Sequence, residues 1–134
     1  MKIILDTNVL ISGIFFSGPP SQILKAWQKG KIQIAISKEI LSEYHRVAEE
    51  LSKKFPSVDI SQILELFTVH AEMVNTQELE VLVCEDPDDN MFISCALGSK
   101  SKIIVSGDKH LLKISGYQEI EVLKPRVFID NHLN

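Results

Sequence analysis

The feature that most limits how this chain can fold is a run of three adjacent apolar residues, Ile3, Ile4 and Leu5. It ends on Asp6 and passes through Thr7 and Asn8 into a second apolar stretch beginning at Val9. Three consecutive apolar residues without alternation describe a strand covered on both faces, as in the interior of a parallel sheet. The residues that follow read as a turn into a helix carrying Val9, Leu10 and Ile14. Asp6 then sits at the carboxyl end of the strand, the edge at which open α/β sheets bind ligands. A simpler account is that Asp6, Thr7 or Asn8 caps the helix. The two readings separate only if other acids gather at the same edge.

A second apolar triplet, Ile103, Ile104 and Val105, delivers Ser106, Gly107 and Asp108 in the same way. Between the two triplets the pattern alternates strand and helix. Pro19, Pro20 and Ser21 open a helix through Ile23, Leu24 and Trp27 that stops at Gly30. Ile32 to Ile36 reads as a strand. Ser37 caps a long helix whose Ile40, Leu41, Tyr44, Val47, Ala48 and Leu51 keep helical spacing. On that helix Glu43 lies about 90° from the centre of the apolar stripe. Asp59 and Gln62 form a capping box for a helix through Phe67. A polar stretch from Asn75 to Glu80 leads to Val81, Leu82 and Val83. Asp86-Pro87 starts a helix that buries Met91, Phe92, Cys95 and Ala96 and ends at Gly98. Lys109 to Ile114 is a short helix, Ile120 to Leu123 an edge strand, and Pro125 opens a last helical turn. This order predicts an α/β fold, a central mainly parallel sheet with helices on both faces, in one domain over residues 1–134.

The composition suits that fold. Of 134 residues, 45% are hydrophobic and 24% charged, enough to build one core without a staple. No apolar run approaches membrane-spanning length and Met1-Lys2-Ile3 leads straight into the first strand, so a soluble, cytoplasmic protein with no membrane contact is expected. Cys84 and Cys95 lack partners at metal-ligand spacing and read as small core residues. A net charge of −4 argues against holding nucleic acid by bulk charge alone. The charge is unevenly spread, however. Glu72, Glu78, Glu80, Glu85, Asp86, Asp88 and Asp89 fall in one stretch without a base, and Lys100, Lys102, Lys109, Lys113, Lys124 and Arg126 follow it. An acidic centre beside a basic flank suits a cation-dependent enzyme acting on a polyanion, although solvated faces give similar runs.

Parallel strands point the same way, so Asp6 and Asp108 must share an edge. Glu43, in the second turn of its helix, and Asp89, in the first turn after Pro87, can face that edge too. Carboxylates about 4 Å apart repel by on the order of 4 kcal/mol per pair at an effective dielectric near 20, which calls for a compensating cation. An all-oxygen acidic site suits Mg²⁺ or Mn²⁺ and the activation of water for attack on a phosphodiester. Taken singly, Asp6, Asp108 and Asp89 can be caps and Glu43 a solvated residue. The cap reading gives no reason for them to converge.

Four segments carry a family resemblance: Ile3-Ile4-Leu5-Asp6-Thr7-Asn8-Val9-Leu10-Ile11-Ser12, Glu39-Ile40-Leu41-Ser42-Glu43-Tyr44, Asp86-Pro87-Asp88-Asp89-Asn90-Met91-Phe92 and Ser106-Gly107-Asp108-Lys109-His110-Leu111. In this order, and over nearly the whole chain, they resemble PIN-domain ribonucleases, and within them the VapC-like toxins of toxin-antitoxin modules. The resemblance implies a PIN-like domain and a Mg²⁺- or Mn²⁺-dependent endoribonuclease that cleaves RNA, is inhibited by a small antitoxin protein and often forms a homodimer. Carried over residue by residue, it makes Asp6, Glu43, Asp89 and Asp108 the metal-binding catalytic acids, with Asn8 and Ser106 as polar support. Asp86 and Asp88 compete with Asp89 for the third place and Glu39 competes with Glu43 for the second. Metal-activated water would attack phosphorus in line, with a second metal or Lys109 at the leaving oxygen; His110 reads more readily as a solvated helix residue. Two alternatives stand beside this: a catalytically inactive PIN-like module that binds RNA or protein, and an aspartyl-phosphate phosphatase. The second wants Asp where this chain has Asn8.

Overall fold

The computed structural model describes residues 1–57, 59–76 and 87–133, apart from the side chains at 63 and 87. Val81 to Val83, Cys84 and Asp86 lie outside the described residues.

Ile3, Ile4 and Leu5 form most of strand β1 (Lys2–Leu5), and all three are fully buried. Neighbouring residues of a strand point to opposite faces, so this burial requires cover on both sides. The other strands are β2 (Gln33–Ser37), β3 (Glu72–Val74), β4 (Ile103–Val105) and β5 (Glu121–Leu123). They assemble in the order β3-β2-β1-β4-β5, every pair parallel. In register, Ile3, Ile4 and Leu5 face Ile103, Ile104 and Val105, so the two apolar triplets of the sequence are direct partners. The chain moves outward from β1 through β2 to β3 and then returns to the other side of β1. The strand order therefore reverses between β1 and β4, and both strands end there on an acid-bearing turn.

Helix α1 (Thr7–Phe15) packs on α2 (Pro19–Gln28) and on α3 (Lys38–Ser52), and α3 packs on α4 (Ile60–His70). Helix α5 (Asn90–Ser99) runs across β1, β2, β3 and β4. The short α6 (Lys109–Lys113) and α7 (Pro125–Phe128) follow β4 and β5. Ser37 caps α3 by accepting from the Ile40 N–H at 3.2 Å. Trp27 stacks on Phe67 at 4.4 Å, and Tyr44 meets Phe67 edge-on at 5.7 Å, which ties α2, α3 and α4 into one core. Among the described residues no helix is long and apolar enough to cross a membrane.

The parallel α/β architecture agrees with the sequence, and three details differ. Strand β3 was not foreseen. Its Glu72, Met73 and Val74 show neither alternation nor a buried run, and the strand exists because the exposed backbone of β2 needs a partner. Helix α5 continues past Gly98 to Ser99, and Lys100 takes the left-handed position, at φ 61°, that the sequence assigned to glycine. Asp59 does cap α4, but through the Ser61 N–H and hydroxyl rather than a reciprocal bond with Gln62.

Gly13 is a glycine of close approach. A Cβ there would lie 2.7 Å from Leu24 Cδ1 and 2.9 Å from the Pro20 carbonyl oxygen. Gly to Ala within a helix normally stabilises by about 1 kcal/mol. Overpacking against backbone costs about 1–3 kcal/mol, so Gly13→Ala is expected to lower stability. A urea midpoint at or above that of the wild type would show that α1 and α2 can separate freely.

Candidate metal and nucleic-acid site

Asp6 occupies the N-cap position of α1, at φ −61° and ψ 147°, yet its side chain makes no capping bond. Its carboxylate Oδ2 instead accepts a 2.7 Å hydrogen bond from Ser106 Oγ, and that oxygen in turn accepts from the Asp108 N–H at 2.9 Å. The two strand ends are also joined by backbone. Asp6 N–H donates to the Val105 carbonyl at 3.0 Å, and Ser106 N–H in turn ties the end of β4 to β5 through the Leu123 carbonyl at 2.9 Å. Ser106 is therefore the crosspiece between the turns that carry Asp6 and Asp108. Asp6 is only 6% exposed. Burial pushes its carboxyl above the usual range; the Ser106 hydrogen bond opposes the rise and the charge of Asp108 adds to it.

Asp108 does cap. Its Oδ1 accepts from the N–H groups of His110 at 2.7 Å and Leu111 at 3.4 Å, and His110 Nδ1 lies 3.5 Å from the same oxygen. Cap and site acid are thus compatible roles, since these contacts all fall on one oxygen. Asp89, buried at the N-cap of α5, completes the approach. One ligand atom from each of Asp89, Asp108 and His110 lies within 4.8 Å of the others.

These acids line a cavity of about 210 Å³ that also takes in Thr7, Asn8, Glu43, Arg46, Asp88, Met91 and Phe92. Of the rivals, Asp88 is on its rim and exposed, and Asp86 lies outside the described residues. Glu39 is not among the lining residues; its carboxylate accepts from Thr76 Oγ1 at 3.2 Å. Glu43 reaches the cavity but is held in a two-pronged pair, Arg46 Nη2 to Oε1 at 2.7 Å and Nε to Oε2 at 3.1 Å.

Four participants were missed or undervalued in the sequence. Arg46 stands three residues after Glu43, a spacing at which opposite charges on a helix meet, so it could have been read. His110 joins Asp89 and Asp108, which makes the group less purely acidic than expected. Thr7 Oγ1 is buried against the site with no hydrogen-bond partner among the described residues. Tyr44 read only as core, yet its hydroxyl donates to the Leu5 carbonyl at 2.5 Å and so fastens α3 to the residue before Asp6. Burial, with help from the charge of Asp6, pushes the Tyr44 hydroxyl well above its usual range and keeps it a donor.

The donor set fits a divalent cation. It consists of hard carboxylate oxygens with one imidazole, beside a buried hydroxyl oxygen that has no partner of its own among the described residues.

Comparison with known proteins follows the same lines. A family model described as the PIN domain matches residues 2–110. An uncharacterized protein of Methanocaldococcus jannaschii is 35% identical over 118 residues, covering 85% of this chain and 75% of its own length. The crystal structure of VapBC2 from Rickettsia felis, bound to a DNA fragment from their promoter, contains a chain similar in fold. Its TM-score is 0.61 and its identity 17%, and the match covers 92% of this chain and 98% of that one.

Because the folded protein holds the Asp6 proton more tightly than the unfolded chain does, metal-free stability falls as pH rises through a window opening near 3.8 and reaching above it. With chelator present, Asp6→Asn is therefore expected to be more stable than wild type at neutral pH. The gap should close as the pH is lowered below 3.8. Denaturation at the two pH values checks this, and a variant less stable than wild type throughout would mean that the Asp6 charge supports the fold.

Proposed function

The chain belongs to the PIN-domain family, a family of nucleases, and from that premise we propose that it is a Mg²⁺- or Mn²⁺-dependent endoribonuclease acting as the toxin of a toxin-antitoxin pair. The observation that carries the reading is the convergence of Asp6, Asp89 and Asp108 at the reversal point between β1 and β4, where doubly wound sheets bind ligands. Asp6, Asp89 and Asp108, with Glu43, would hold the cation. The His110 imidazole tilts preference from Mg²⁺ toward Mn²⁺. A cation bound there supplies charge neutralisation at the attacked phosphate and a more acidic water.

The remaining work falls to the chain itself. Ser106 fixes the Asp6 rotamer through its hydrogen bond and, through the Asp108 N–H, the neighbouring turn. Tyr44 holds α3, and with it Glu43, at a set distance from the end of β1. Asn8 presents a neutral polar group to the cavity, where it can bind a phosphate or sugar oxygen. Asp6 would serve as a ligand in its ionised form, the form that the Ser106 hydrogen bond favours.

Asp6→Asn is expected to reduce Mn²⁺-dependent RNA cleavage to background while the protein stays folded. Asp108→Asn should lose less, because Asp108 is the more exposed of the two and the amide still caps α6. Cleavage is measured on purified protein with labelled RNA. Undiminished turnover in Asp6→Asn would overturn the assignment.

Metal binding has its own test. Mn²⁺ at a hundred times its dissociation constant should stabilise wild type by roughly 2.7 kcal/mol and Asp89→Ala much less. Equal stabilisation of both proteins would remove Asp89 from the site.

An RNA-cleaving toxin needs an external inhibitor, and the solved relative in fold is part of a VapBC complex. The partner proposed for this chain is a small antitoxin that places a Lys or Arg side chain among Asp6, Asp89 and Asp108. Expression of the chain alone should slow growth, with relief from its genomic neighbour. A harmless chain that cleaves no RNA with Mn²⁺ would favour the non-catalytic binding module.

A further inference from the structure

Arg46 is the one lysine or arginine among the described residues lining the acidic cavity, and it is anchored from both sides. Its fork grips Glu43, and its remaining nitrogen, Nη1, reaches Glu50 at 3.1 Å on the outer surface of α3. The side chain is 58% exposed and stands at the mouth of the cavity rather than in its floor. Both oxygens of Glu43 are committed to this fork. A divalent cation on Glu43 would compete with Arg46 for the carboxylate's charge and weaken the pair, leaving the guanidinium beside the cation free to turn to another anion.

We propose that Arg46 is the substrate-phosphate contact of this site, parked on Glu43 until a divalent cation claims that carboxylate. The inference rests on the nuclease reading above and extends it by naming a substrate-binding residue. A guanidinium released there meets the group its geometry suits best, since its planar donors match two phosphate oxygens as they match two carboxylate oxygens. Glu50 fixes where the released side chain can go. It tethers Nη1 on the outer face, which leaves Nε and Nη2 turned toward the cavity. Cation and substrate binding are then coupled in one direction. With a cation on Glu43, Arg46 would be held there less firmly and its guanidinium would add to the hold on RNA.

The test compares wild type with Arg46→Gln and Arg46→Lys in two titrations that need no turnover. The first is calorimetry with Mn²⁺ alone. Removing a partially exposed competitor from Glu43 should tighten Mn²⁺ binding about two- to fivefold in Arg46→Gln. The second is binding of a labelled single-stranded RNA in Ca²⁺ across a range of salt. There Arg46→Gln should bind more weakly, with the slope of log K against log salt reduced by about 0.7, one phosphate contact on a single strand. Arg46→Lys should keep the slope but bind less tightly than wild type, having lost the fork. Weaker Mn²⁺ binding in Arg46→Gln would make Arg46 a prop for Glu43 and overturn the proposal. An unchanged RNA slope would overturn it too. A wild type that binds neither Mn²⁺ nor RNA would overturn the nuclease reading and this inference with it, whereas normal wild-type binding with an indifferent variant overturns this inference alone.

Discussion

One hydrogen bond organises the acid-bearing edge of this protein, the 2.7 Å contact from Ser106 Oγ to the Asp6 carboxylate. An aspartate at an N-cap would ordinarily turn back onto its own helix. Asp6 has the backbone of a cap and the side chain of a bridging residue. Its carboxylate is taken by a hydroxyl a hundred residues away, on the turn that follows the neighbouring strand. With that bond in place, the Asp108 turn is oriented through the same hydroxyl, and the carboxylate is buried without being stranded. Its raised affinity for a proton expresses what remains of the desolvation cost, and the same tension favours a bound cation.

The other acids reach this edge by different physical routes. Asp108 satisfies the first turn of α6, so its position is fixed by helix capping. Asp89 is placed by the turn at Pro87–Asp89 that leads into α5. Glu43 depends on side-chain contacts, with Tyr44 anchoring its helix below and Arg46 neutralising it above. Repulsion among the acids is thereby offset by hydrogen bonding at Asp6 and Asp108 and by a counter-charge at Glu43.

Much of this was legible in the sequence because the strongest signals were local and unambiguous. Two apolar triplets, each ended by an acid-bearing turn, specify two buried parallel strands and place Asp6 and Asp108 on one edge. Helix periodicity and the Ser37 cap located α3 and brought Glu43 to the margin of its apolar face. What escaped notice depends on partners distant in the chain or on a side-chain direction. Strand β3 takes its identity from β2 rather than from Glu72, Met73 and Val74 themselves. The role of Tyr44 is invisible in a helical stripe, where any large apolar residue would serve. That Glu43 lines the cavity and Glu39 does not depends on which side of α3 faces it, a matter of one turn.

The parallel pairing of β1 with β4 also bears on how the protein comes into being. The hydroxyl partner of Asp6 and the strand beside it are made about a hundred residues after Asp6 itself. Contacts of such separation form late and slowly, since the loop between them must first close. A chain halted on the ribosome before β4 emerges carries Asp6 and Glu43 without Ser106 or Asp108, and so has no finished acidic edge. Any chemistry at this edge is thus withheld until β4 and the turn after it have been made, and fragments that stop short of them lack it altogether.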